Sequence, residues 1–245
     1  MLSMNRWSRV RSTWIVSPRC VAWILACSTS VAAAQQVGSG CGVLSNGFGP
    51  FDYRADHYIP ETTFRSHDAQ LNIVERAHFT PEVEALLRGK TDVIGGDIGY
   101  TLRAFPNHPR ALLSMARLGD KERTDKPNGS LYTIDCWFRR AVTWRPDDRI
   151  VRMIYAKQLI DKGRGKEAGE HLRVAENLAG DNAFTALNLG LIYFDMKDYE
   201  RSLTFAHRAL AMGLGNPVLR EQLKTVGKWS EPTDAGAPPP AAKTP

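Results

Sequence analysis

Between Arg149 and Asn216 the chain repeats itself. The segment RIVRMIYAKQLIDKGRGKEAGEHLRVAENLAGDN (149–182) lies without gaps on AFTALNLGLIYFDMKDYERSLTFAHRALAMGLGN (183–216). Ala156 falls on Gly190, Ala168 on Ser202 and Ala175 on Ala209, so small residues meet small ones. Leu159 falls on Tyr193, and Leu172 on Ala206. A period of this length makes each unit one supersecondary element that buries its apolar face against a copy of itself. The spacing predicts two antiparallel helices per unit. They cross at the eighth, twentieth and twenty-seventh residues, where small side chains let the backbones approach. The segments DKGRG and DMKDY, midway through each unit, suit a tight connection.

This pattern resembles the tetratricopeptide repeat (TPR), a 34-residue helix-turn-helix unit. The second copy carries the likeness best, with Leu189–Gly190, Tyr193, Tyr199 and Ala209. It departs in Ala186, where the family favours tryptophan, and in Leu214, where it favours proline; Pro217 follows closely and can start another helix. One period earlier, Phe138, Ala141 and Pro146 are the residues that the pattern wants there. The run YTIDCWFRRAVTW is therefore read as the second helix of an earlier unit, whose first helix is HPRALLSMARLG (108–119). Cys136 then lies on a helix and Trp137 beside it is a packing residue. An insertion, Gly119–Thr133, separates the two helices.

The resemblance implies an all-α chain: a TPR-like helix-turn-helix right-handed solenoid over residues 80–227. Thr80–Gly89, with Thr80 as cap and Pro81 in the first turn, reads as a short helix, and Gly96–Phe105 as its partner. Pro217–Gly227 reads as a capping helix over the last unit. Residues 35–79 show no helical period and are read as an irregular segment laid on the array through Phe48, Phe51 and Tyr53. The stretches CGVLSNGFGPFDYR, HFTPEVEALLRG and DIGYTLRAFPNHPRALLSM also make the chain similar to a group of exported proteobacterial TPR proteins; that likeness implies fold and envelope location and no particular activity. Residues 228–245 are rich in proline and alanine, with five prolines in the last sixteen residues, which reads as a disordered tail.

The net charge is +6, but Arg6, Arg9, Arg11 and Arg19 all lie before Gln35, in a stretch that holds no acid. Removing them leaves about +2, too little to imply a nucleic-acid surface. These arginines precede an apolar run, Cys20–Ala34, that ends in small residues, as in a secretory signal peptide. Ala32 and Ala34 suit cleavage before Gln35. The expected location is periplasmic, soluble after cleavage; an uncleaved N-terminal anchor is the alternative. A third reading makes Cys27, in ILAC, an acylated residue, although Arg19 sits close for that. No later segment reaches 18 apolar residues, so no stable membrane insertion is expected after cleavage. Cleavage removes Cys20 and Cys27 and leaves Cys41 and Cys136, an even pair that in an exported chain suggests a disulfide.

Chemistry-bearing patterns are sparse. Cys136 has no histidine at a diagnostic spacing and no glycine-rich loop beside it, so no catalytic residue is assigned. His57, His67 and His78, with Asp56 and Asp68, match no tight ligand motif, so no metal and no cofactor is assigned. The segment IGGDIG lacks the lysine and spacing of a phosphate loop. The remaining candidate is the face made by the first helix of each unit: Ile150, Met153, Ile154 and Lys157 from one, Phe184, Leu187, Asn188 and Leu191 from the next. Asn188 sits where some TPR proteins place a carboxylate-binding asparagine, but Ile150 and Ile154 occupy the positions of its charged partners. An apolar groove suits an amphipathic helix or an extended peptide. Each of these residues can also be core. The expected function is a non-enzymatic scaffold that binds another envelope protein or peptide. The alternatives are a small-molecule or metal-binding protein using the histidine-containing N-terminal segment, and a thiol-dependent enzyme. The oligomeric state is left open.

Overall fold

A computed structural model describes residues 40–56 and 67–232. The expected signal peptide, with Cys20, Cys27 and the cleavage site, lies outside these residues, as do 233–245. Among the described residues there are eleven α-helices and no strand. They are α1 (Tyr53–Asp56), α2 (His67–His78), α3 (Pro81–Glu84), α4 (Ile94–Ala104), α5 (Pro109–Glu122) and α6 (Ile134–Trp144). Then follow α7 (Arg149–Asp161), α8 (Gly165–Asn177), α9 (Ala183–Asp195), α10 (Tyr199–Ala211) and α11 (Pro217–Thr225). No described helix is long and apolar enough to cross a membrane.

The repeat period is visible in the helix ends. α7, α9 and α11 begin at 149, 183 and 217; α8 and α10 begin at 165 and 199. The residue before each first helix caps it. Asp148 accepts hydrogen bonds from the N–H groups of Ile150 and Val151, Asn182 from Thr185, and Asn216 from Leu219. Three-residue turns, 162–164 and 196–198, fold α8 back on α7 and α10 on α9. Each turn needs one residue at positive φ, supplied by Gly163 (+74°) in the first and by Lys197 (+62°) in the second. At the α9–α10 crossing the Ser202 hydroxyl donates to the Gly190 carbonyl at 2.8 Å. A side chain at Gly190 would press on Leu219 and on the backbone of Ser202 and Ala206. Ala156, Ala168, Ala175, Gly190, Tyr193, Ser202 and Ala209 are all buried, as crossing and gap-filling residues must be.

The main core runs from Phe79 and Val83 of the α3 region, through Leu112, Trp137, Phe138 and Leu159, to Tyr193 and Ala209. Two smaller clusters anchor the N-terminal segment. Phe51 and Tyr53 pack with Leu71, Val74 and Phe105; Cys41 and Leu44 pack with Trp144. Cys41 and Cys136 are joined by a disulfide, with Cα atoms 5.2 Å apart.

Three expectations need correction. Residues 35–79 are not irregular throughout, because α2 occupies 67–78. Its apolar face consists of little more than Leu71 and Val74, one turn apart, so its period is faint in the sequence. The first helix of the earlier unit continues past Gly119 to Glu122, which shortens the insertion to 123–133. The chain after 227 does not leave the fold at once: the Trp229 ring packs on the Leu219–Leu223 cluster, and His207 Nε2 bonds the Ser230 carbonyl at 2.8 Å.

Candidate partner-binding surface

The second residue of each first helix points away from the core. Ile150, Phe184 and Val218 are 43%, 68% and 60% exposed, and each stands one repeat period after the last. α7 packs on α9, and α9 on α11. The three therefore share one repeat position on consecutively packed helices, and together they are the candidate apolar row. α9 explains why the row is strongest at its centre. Its sequence, AFTALNLGLIYFD, is apolar nearly all round. One face enters the main core through Ala186, Leu189 and Tyr193; Leu191 and Phe194 turn to α11. Phe184 is left with neither. A helix that is apolar all round is normally covered all round.

The eight residues expected on this surface divide. Ile150, Phe184 and Asn188 are exposed or nearly so; Ile154, Lys157, Leu187 and Leu191 are half-buried. Met153 is 4% exposed and belongs to the main core, so it presents no surface to a partner. Lys157 Nζ forms ion pairs with Asp161 and, at 3.6 Å, with Asp195. Burial pulls its pKa down, but the two carboxylates outweigh that and raise it, so it is held as a cation.

Val218 was missed by sequence reasoning, although it lies one period after Phe184. So was an apolar cavity of about 310 Å³ beside it, whose walls include Leu187, Leu210, Leu214, Pro217, Leu219 and Trp229. Leu187 thus belongs both to the expected surface and to this cavity. Arg220 closes the rim: it is ion-paired with Glu231, and its guanidinium lies 5.3 Å from the Trp229 ring centre. The cavity depends on residues after 227 folding back, which no periodicity signals.

The residues of the other readings are placed as follows. Cys136 is bonded to Cys41 and is no free thiol. His57 lies outside the described residues, as do the side chains of Asp56, His67 and Asp68. His78 is hydrogen-bonded to Asp97. Among the described residues no group of three or more His, Cys, Asp or Glu is placed to hold a metal ion. No protein-family model, no curated protein and no solved structure matches the chain.

Proposed function

We propose that the chain is a non-enzymatic scaffold of the cell envelope, built as a TPR-like right-handed solenoid, that docks another envelope protein or peptide along the first helices of its units. One observation carries this reading: the exposed apolar row Ile150, Phe184 and Val218, with an apolar cavity at its end. Unpartnered apolar rows on a rigid array favour association, because the partner's apolar groups are buried while little of the array has to be ordered. The helix pairs and the caps at 148, 182 and 216 support the TPR-like reading, since they place the row at a fixed position of each unit. The test is crosslinking and recovery from envelope extracts with the wild-type chain, Phe184→Glu/Val218→Glu, and Lys166→Glu as a control on α8. The double variant is expected to lose proteins that wild type and control both recover, with affinity for a purified partner falling about tenfold or more. A folded double variant that recovers the same proteins would overturn the assignment.

A further inference from the structure

A second cavity, about 470 Å³ and polar, lies where the end of α2, the residues around α4 and the 123–133 insertion meet. Its chemistry starts from Asp97, which is fully buried on α4. Asp97 accepts the N–H groups of Lys90 (2.6 Å) and Thr91 (3.0 Å) and the Thr91 hydroxyl (2.5 Å). Burial pushes its pKa up, but these bonds and the one from His78 outweigh burial and hold the carboxyl below its ordinary value, so it is ionised. His78 Nδ1 lies 3.0 Å from Asp97 Oδ1 and 2.8 Å from Thr91 Oγ1. The carboxylate has no proton, and the Thr91 hydroxyl spends its own on Asp97. The Nδ1 atom therefore carries the hydrogen. The ring, stacked on Tyr100 at 3.8 Å, turns Nε2 away from Asp97, and that atom has no partner among the described residues.

Two further wall residues are charged and, among the described residues, unneutralised. The Arg103 guanidinium lies 5.3 Å from the Tyr100 ring centre and has no carboxylate partner there. The Asp92 carboxylate accepts only the N–H of Val93, at 2.7 Å, and has no described cation beside it. A ligand bearing a single charge would engage one of these groups and leave the other to solvent. A zwitterion satisfies both. Both line the same cavity, Asp92 just before the first turn of α4 and Arg103 in its last turn, and an amino acid or a dipeptide is of a size to reach between them. Tyr100 and the exposed Leu131 supply apolar surface for a side chain. The wall is set before any ligand arrives. Gly129, at φ +77°, brings the insertion so close to α4 that a Cβ there would collide with Val93 and Gly96.

We propose that this cavity binds a small zwitterion, an amino acid or dipeptide with an apolar side chain, with its carboxylate on Arg103 and its ammonium on Asp92. The site is independent of the docking row and goes beyond it. Titration calorimetry on the full chain would compare leucine and Leu-Leu with N-acetyl-leucine and leucinamide. One or both zwitterions should bind, and blocking either end should weaken binding about tenfold or more. Arg103→Gln should abolish the preference for leucine over leucinamide, and Asp92→Asn the preference over N-acetyl-leucine. No heat from either zwitterion at millimolar concentration, or equal binding of the blocked forms, would overturn the proposal on the wild-type chain alone.

Discussion

From Arg149 to Thr225 each helix is held chiefly by its sequence neighbour and by the equivalent helix one repeat away. From Cys41 to Trp144 the ties reach across the chain. The disulfide spans 95 residues, and Arg140 Nη1 donates to the carbonyls of Cys41 and Val43, 99 and 97 residues away. The Trp144 indole donates to the Phe51 carbonyl, and the buried Asn107 amide donates to Asp52 and Asp148. The C-terminal part buries few polar groups, chiefly Thr185 and Ser202; the N-terminal part buries Asp97, Asn107, His108 and Arg140. Arg140 is the extreme case. Burial lowers its pKa, and carbonyls and the rings of Tyr132 and Trp137 are its partners in place of a carboxylate. Repeated units specify each other chiefly through size, with few buried polar bonds such as Ser202 to the Gly190 carbonyl. An irregular segment has no copy to fit against, so buried polar bonds and a covalent one must fix its position.

The comparison breaks if the two parts do not respond separately. The largest effect is expected for Cys41→Ser/Cys136→Ser. Closing a loop of 95 residues is worth about 4–5 kcal/mol in the chain-entropy model, so a loss of about 3–4 kcal/mol should appear in urea titration. Amide exchange should quicken in α4–α6 while α9 and α10 stay protected. Uniform loss would mean that the N-terminal ties hold the whole array. Next is Gly190→Leu, which forces a side chain into the α9–α10 crossing and should cost about 2 kcal/mol. Here exchange should quicken in α9–α11, with α4–α6 unchanged.

The smallest effect is the dependence on pH. His108 is buried, its Nδ1 accepting from the Ala111 N–H and its Nε2 facing Glu75 at 3.0 Å. Burial lowers its pKa below the ordinary 6.5 despite Glu75. On acidification the unfolded chain takes up this proton first, so stability is intact above about pH 6.5 and falls below it. His171, lowered by burial and then by Arg152, acts in the same direction. Each group contributes at most about 1.4 kcal/mol per pH unit. Thermal melts between pH 7.5 and 5 should lose more of this slope in His108→Asn, which keeps a capping oxygen, than in His171→Gln. The reverse ranking would place the acid-sensitive packing in the C-terminal part.

The same contrast sets what could be read beforehand. The period located α7–α10 and the start of α11, because each position there has a counterpart one repeat away. It could not place Met153, which stands one period before the half-buried Leu187 yet sinks into the core: the first unit packs against α5 and α6, while Leu187 faces the cavity lined by Leu219 and Trp229. Nothing local marks Asn107 or Arg140 as buried, because their partners lie elsewhere in the chain. The cysteine pair was legible from its even count in a chain expected to be exported. Of the candidate surface, Ile150 and Phe184 were legible; Val218 and the Trp229 cavity were not, because α11 reads as a cap and no period extends to Trp229.

The caps at Asp148, Asn182 and Asn216 fall on the seams between units. Excising residues 183–216 would therefore splice Asn182 directly to Pro217 and leave α11 with the kind of capping residue that it already has. The chain can lose a storey, or gain one, without a new joint having to be invented, and the length of its outer row can change by gene duplication while the pinned N-terminal end is left untouched.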